Sequence, residues 1–196
     1  MLAAAILSGG ESSRMGSPKG LLPYRGKTFI EHLVEVTRHP RVGVTRIVLG
    51  AGAEGIHRQL GQNAGDAIEN PDWRQGQLSS IQAAVRSLPH GTEGLILCPV
   101  DHPLVSAALV AALIERFDSS GKAIVLPTYN GRRGHPLIFR ATLYDELLAA
   151  SAEIGARQVV WAHREELLEV PTGEEGVILN LNDRDTLRKA LGQDVR

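Results

Sequence analysis

The chain has 196 residues and a formal net charge of −1, from 21 Lys and Arg against 22 Asp and Glu. That length predicts a single domain over residues 1–196 with room for a buried core, and the near-neutral balance argues against nucleic acid as the main partner. No apolar run reaches the roughly 18 residues of a membrane span, the start lacks the basic lead-in of a signal peptide, and the lone Cys98 fits a reducing compartment as a buried structural thiol; a cytoplasmic protein without membrane contact is expected.

A buried strand is predicted over 2–8. It opens into Ser8-Gly9-Gly10-Glu11-Ser12-Ser13-Arg14-Met15-Gly16-Ser17-Pro18-Lys19-Gly20. Glycines let backbone N–H groups approach an anion, and Arg14 and Lys19 supply positive charge, so the loop suits a triphosphate. It is not a P-loop: Gly10 and Gly16 have the wrong spacing, and no hydroxyl follows Lys19. A helix over 28–38 follows, with Thr28 as N-cap. A strand over 46–50 then leads into Gly50-Ala51-Gly52-Ala53-Glu54-Gly55, which has dinucleotide-fingerprint spacing. The match sits after a second strand, and Glu69 falls short of the usual ribose-binding position. It reads as a strand-to-helix turn before a helix over 54–60, with a dinucleotide-dependent oxidoreductase as an alternative.

A strand over 67–69 enters the polar turn 70–77, then a helix over 78–87. Asn70, Gly76, Gln77, Ser79 and Ser80 offer side chains and backbone N–H groups to a base edge, sugar or phosphate; capping explains Ser79 or Ser80 equally well. A strand over 94–99 ends at Asp101, held between Pro99 and Pro103. A carboxylate at a strand end suits Mg²⁺; a turn or capping Asp is the alternative. His102 suggests a transition-metal site with His135, without diagnostic spacing or an evident third ligand. A helix over 106–117 capped by Ser106, a strand over 123–127, the basic loop or hairpin 131–136 and a strand over 136–139 come next. That loop suits a second phosphorylated substrate. Helices over 141–150 and 156–163, a strand over 167–170 and a helix over 183–191 capped by Asp183 complete the chain. Either Asn180 or Asn182 can bind a metal or cap that last helix. The alternation implies βαβ units, with ligands beyond the carboxyl ends of the strands.

In this order, these stretches resemble the molybdenum-cofactor nucleotidyltransferases of the MobA-like NTP transferase family over nearly the whole chain. The resemblance implies a Rossmann-like α/β fold of the nucleotide-diphospho-sugar transferase type, with a mostly parallel sheet and helices on both faces. It implies that Leu7, Ser8, Gly9, Gly10, Ser12 and Ser13 wrap the triphosphate, with Arg14 and Lys19 as cations. Asp101 stands at the family's Asp-x-Pro metal position, and Asn182 looks like the second metal position of related sugar-nucleotide pyrophosphorylases, with Asn180 as its rival. Many relatives carry Asp-x-Asp-Thr-Pro-Glu-Asp there, from which Asn180-Leu181-Asn182-Asp183-Arg184 departs. Gly155-Ala156-Arg157 resembles a segment near the acceptor, which joins Arg157 to Arg133, Gly134 and His135. Pro18-Lys19 and Arg133-Gly134-His135-Pro136 look more like the molybdopterin cytidylyltransferase branch.

The implied reaction is Mg²⁺-dependent transfer of a nucleoside monophosphate from CTP to the terminal phosphate of molybdopterin cofactor, with release of pyrophosphate. A molybdoenzyme would receive the product. Alternatives are a guanylyltransferase using GTP, a nucleotidyltransferase for a sugar phosphate or other phosphorylated acceptor, and a nucleotide-binding cofactor chaperone.

Overall fold

The apolar runs gather into one sheet. The computed structural model describes residues 1–11, 17–61, 66–182 and 184–191. All of β1 (Leu2–Ser8) is buried. Leu2, Ala4 and Ile6 face one apolar cluster while Ala3, Ala5 and Leu7 face another. A strand alternates its side chains between two faces, so a continuous apolar run needs cover on both.

There follow β2 (Pro23–Tyr24), β3 (Lys27–Thr28), α1 (Phe29–Val36), β4 (Val42–Leu49), α2 (Ala53–Leu60), β5 (Ala67–Glu69), α3 (Gln77–Arg86), β6 (Gly94–Pro99) and α4 (Ala107–Ser120). The second half holds β7 (Ile124–Tyr129), β8 (Arg132–Arg133), β9 (Leu137–Arg140), α5 (Tyr144–Ala149), α6 (Arg157–Ala162), β10 (Leu167–Pro171) and α7 (Arg184–Leu191). The main sheet has the order β10-β7-β9-β6-β1-β4-β5, with β8 also paired to β7. Phe29 of α1, Ile56 of α2, Phe117 of α4 and Leu187 of α7 pack on one side. Ile81 of α3, Leu147 of α5 and Val159 of α6 pack on the other. This is the expected Rossmann-like α/β fold with both faces covered.

The sheet is more mixed than the alternation suggested. β6, β1, β4 and β5 run parallel, as do β7 and β10, but β9 is antiparallel to both β6 and β7. The cause is the turn at Asn130 (φ 49°) and Gly131 (φ 75°). Two successive positive-φ residues make a tight hairpin turn whose return strand is antiparallel. β8 and β9 are two pieces of that return strand, interrupted at residues 134–136.

Several boundaries move. β4 begins four residues before the predicted 46, at Val42. The helix expected over 141–150 starts with a 3-10 turn at Ala141–Leu143 and becomes α-helical only at Tyr144. α1 stops at Val36, where the Thr37 hydroxyl donates back to the carbonyls of Leu33 and Val34. Thr28 does cap α1: its hydroxyl accepts from the Glu31 N–H, and the Glu31 carboxylate accepts from the Thr28 N–H at 2.8 Å. Ser106 caps α4 through the Leu109 N–H at 3.0 Å. Asp183, the expected cap of α7, lies outside the described residues. Cys98 is buried on β6, and burial pushes its thiol up to about 12, as a structural thiol requires. Among the described residues no helix is long and apolar enough to cross a membrane.

The segment after β10 is wedged between the start of α4 and the break in the return strand. Glu174 accepts from the N–H and hydroxyl of Ser106, at 3.0 and 2.5 Å. A Cβ at Gly176 would lie 2.7 Å from the Leu104 carbonyl carbon, with backbone unable to give way. Gly176→Ala should therefore destabilise by about 1–3 kcal/mol. The readout is a lower denaturation midpoint at unchanged slope.

Candidate active site

Three strand ends build the site. β1 ends at Ser8, β4 at Leu49 and β6 at Pro99, all on one edge of parallel strands. Beyond β1 the chain passes Gly9, whose carbonyl accepts from the Ala51 N–H at 3.2 Å. A Cβ on Gly9 would fall 2.7 Å from the Ser80 hydroxyl, and one on Gly50 would fall 2.6 Å from the Cβ of Trp73. Gly50 is thus needed for packing against the first loop. Gly52 (φ 72°) caps α2. These contacts account for Gly50 and Gly52 as parts of a strand-to-helix turn.

A cleft of about 190 Å³ runs along this edge, lined by Leu7, Ser8, Gly9, Gly10, Lys19, Trp73, Gly76, Gln77, Ser80, Pro99, Val100 and Asp101. Eight of the predicted nucleotide-contacting residues lie on it together with Asp101. Ser12, Ser13 and Arg14 lie outside the described residues. Trp73, Pro99 and Val100 were not anticipated. An aromatic in an otherwise polar turn, three residues before Gly76 at the helix start, was the available signal for Trp73.

Lys19 opens a 3-10 turn held down by Gly20, where a Cβ would meet Ile30 at 2.5 Å and the Ser8 hydroxyl at 2.7 Å. Its ammonium donates to the Asn182 side-chain oxygen. The next backbone link is Leu181 N–H to the Asp101 carbonyl at 2.8 Å. Lys19 and Asp101 line the cleft, and the segment with Leu181 and Asn182 is tied to both. Asn180 is exposed, and its carbonyl accepts from the Asn182 N–H at 3.1 Å.

Asn70 and Ser79 do not line the cleft. Asn70 is buried, and its amide donates to the Ser79 hydroxyl at 2.8 Å and the Ser80 hydroxyl at 3.1 Å. Its oxygen accepts from the Asp72 N–H at 3.0 Å, and Ser79 donates to the Gly76 carbonyl at 2.8 Å. The network pins the turn to the start of α3. Neither serine is an N-cap; that position is Gly76, at φ 99°.

A second cleft of about 340 Å³ adjoins the first and shares Leu7, Gln77 and Pro99 with it. His135 and Arg157 line it, with Leu137, Phe139 and Val160 among its apolar walls. Gly134 packs its backbone on Val177. Arg133 is on neither cleft: its guanidinium pairs with Glu169 of β10 at 2.7 Å.

His102 and His135 do come together, with ring centroids 4.7 Å apart. His102 stands 3.9 Å from the Asp101 carboxylate. Burial, opposed by Asp101, pushes His102 below its ordinary value. Burial and then His102 push His135 down to about 4. Among the described residues, no group of three or more His, Cys, Asp and Glu side chains can hold a metal. Asp101 on the cleft and Asn182 against Lys19 offer hard oxygen donors. A carboxylate and an amide oxygen suit Mg²⁺ or Mn²⁺ when phosphate oxygens and water complete the shell.

A family model for the MobA-like NTP transferase domain matches residues 4–167. Nicotine blue oxidoreductase of Paenarthrobacter nicotinovorans is 30% identical over 159 residues, 78% of each chain. A molybdenum cofactor guanylyltransferase of Rhizobium meliloti is 30% identical, covering 95% of this chain and 89% of its own. The molybdenum cofactor cytidylyltransferase of Escherichia coli is 27% identical, covering 92% and 90%. Among solved structures, Rv0371c from Mycobacterium tuberculosis superposes with a TM-score of 0.84 over 99% of this chain and 100% of its own, at 24% identity. Its manganese complex superposes at 0.75, at 23% identity, over 98% and 99%. The architecture, the cleft at the strand ends and the matched model agree: the chain belongs to the MobA-like NTP transferase family, whose chemistry is nucleotidyl transfer from an NTP.

Proposed function

We propose that the chain transfers a nucleoside monophosphate from CTP to the terminal phosphate of a molybdopterin-type acceptor. The observation that carries this reading is the placing of Lys19 and Asp101 on one cleft, with the segment of Asn182 tied to both and a second cleft adjoining. Relatives named for both bases match over about nine-tenths of the chain, so the choice of CTP rests on Pro18-Lys19 and on residues 133–136.

The acceptor supplies a phosphate oxygen, ionised near neutrality because the second phosphate pKa is about 6. It attacks the α-phosphorus; an O–P bond forms, the α–β bridging P–O bond breaks, and the electron pair leaves with pyrophosphate. No general base is needed. The protein's task is to offset repulsion between anions and to stabilise spreading charge. Lys19 and the backbone N–H groups of Gly9 and Gly10 do so at the triphosphate, and Arg157 at the acceptor. A divalent cation held by Asp101 and Asn182 would neutralise phosphate charge and polarise the α-phosphoryl oxygen. Product passes to a molybdoenzyme.

The test is pyrophosphate release with each NTP, Mg²⁺ and molybdopterin cofactor, with product mass analysis. The expected result is a kcat/KM for CTP at least about tenfold above GTP, the discrimination of a site whose polar groups are left unpaired by the wrong base edge. A preference for GTP would reassign the base and leave the phosphate and metal roles in place.

The oxidoreductase relative at 30% identity favours a second reading, reduction of an organic substrate in the same pair of clefts. NADH fluorescence titration separates the two. Under the transfer reading NADH is not expected to bind at the Gly50–Gly52 turn, where Gly9 and Trp73 pack against Gly50.

A further inference from the structure

The geometry points to Trp73 as the platform on which the nucleobase stacks, and so to a source of nucleotide affinity that does not choose between bases. The inference rests on the nucleotide reading of the first cleft. Trp73 is the one aromatic among the described residues that line it. If the triphosphate lies at Gly9, Gly10 and Lys19, the base extends along the remaining lining, where Trp73, Gly76, Gln77 and Ser80 stand beside Leu7, Ser8, Pro99, Val100 and Asp101, and of these only Trp73 offers an aromatic face. The indole is half-buried and its position is fixed on two sides. Its Cβ abuts Gly50, where any side chain would collide at 2.6 Å, and its backbone N–H donates to the Asn70 carbonyl at 3.3 Å. The Arg74 guanidinium lies over one face, 4.2 Å from the ring centroid. A guanidinium on one face favours one orientation of the ring, and a base that stacks on Trp73 would take the other face. Every base has a π-face, so stacking is tolerant of base identity. Hydrogen bonds around Gly76–Ser80 must then carry any discrimination.

The experiment uses the full chain with Trp161→Phe, which removes the other tryptophan at a position that is 52% exposed. CTP, GTP and inorganic tripolyphosphate are titrated with Mg²⁺ while Trp73 emission is followed and affinities are measured by calorimetry. Both nucleotides should change the emission. Tripolyphosphate should bind without doing so. Trp73→Leu should weaken CTP and GTP by about tenfold to a hundredfold, keep their ratio and leave tripolyphosphate unchanged, while Trp73→Phe stays close to the parent. Nucleotide affinities unmoved by Trp73→Leu would overturn the platform alone. A proportional loss of tripolyphosphate would also overturn it, by showing that the indole only props the first loop. A parent protein that binds no nucleotide would overturn both the platform and the reading beneath it.

Discussion

Lys19→Ala is expected to lower single-turnover transfer on the order of a hundredfold, equivalent to about 3 kcal/mol in the barrier. Lys19 lines the cleft and its ammonium already engages the Asn182 amide oxygen, so on the transfer reading it is held where phosphate charge would be met. The same change should move stability by no more than about 1 kcal/mol. Lys19 is half-buried in a surface turn, and the packing of that turn comes from Gly20 against Ile30. Single-turnover rates with saturating NTP, set beside denaturant midpoints, separate the two effects. A folded variant that turns over at the parent rate would sink the phosphate role.

Asp101→Asn should cost a comparable factor and change the metal dependence. The substitution is nearly isosteric and keeps the backbone carbonyl that accepts from Leu181, so the strand end and its neighbouring segment stay in place. What goes is the only negative charge lining the first cleft among the described residues. Divalent cations prefer charged oxygen donors, so the Mg²⁺ concentration giving half-maximal rate at fixed CTP should rise by about tenfold or more. Identical Mg²⁺ titrations for the two proteins would make Asp101 a turn residue.

What was legible in the sequence followed from local signals. The run 2–7 is apolar at every position, so β1 could be placed and the loop beyond it assigned to a strand end. Glu31 stands three residues after Thr28, and the reciprocal cap formed as that spacing requires. Asp101 stands between two prolines after a strand and does line the cleft. What local signals do not carry is contact between distant residues. Arg133 was read as an acceptor cation because it sits in a basic loop, yet Glu169 takes it. Asn70 was read as a ligand contact, but two serines nine and ten residues on occupy its amide. β2 and β3 are two residues each, too short for any periodicity. The start of β4 is half-exposed and lacks the apolar run that marks its end.

The boundary between β6 and β9 has a consequence for how such a protein can diverge. On one side, the parallel strands hold the first loop, Lys19 and Asp101. On the other, the return strand with α6 holds His135 and Arg157. The two sides meet through an antiparallel ladder, Leu95 opposite Phe139 and Leu97 opposite Leu137, whose hydrogen bonds use main-chain atoms alone, and through side chains such as His102 against His135. Side chains beyond that ladder can be exchanged without disturbing the pairing. A substitution at His135 or Arg157 therefore leaves the main-chain pairing of β6 with β9 unchanged, and on the transfer reading the second cleft can be altered while the contact between Lys19 and Asn182 is kept.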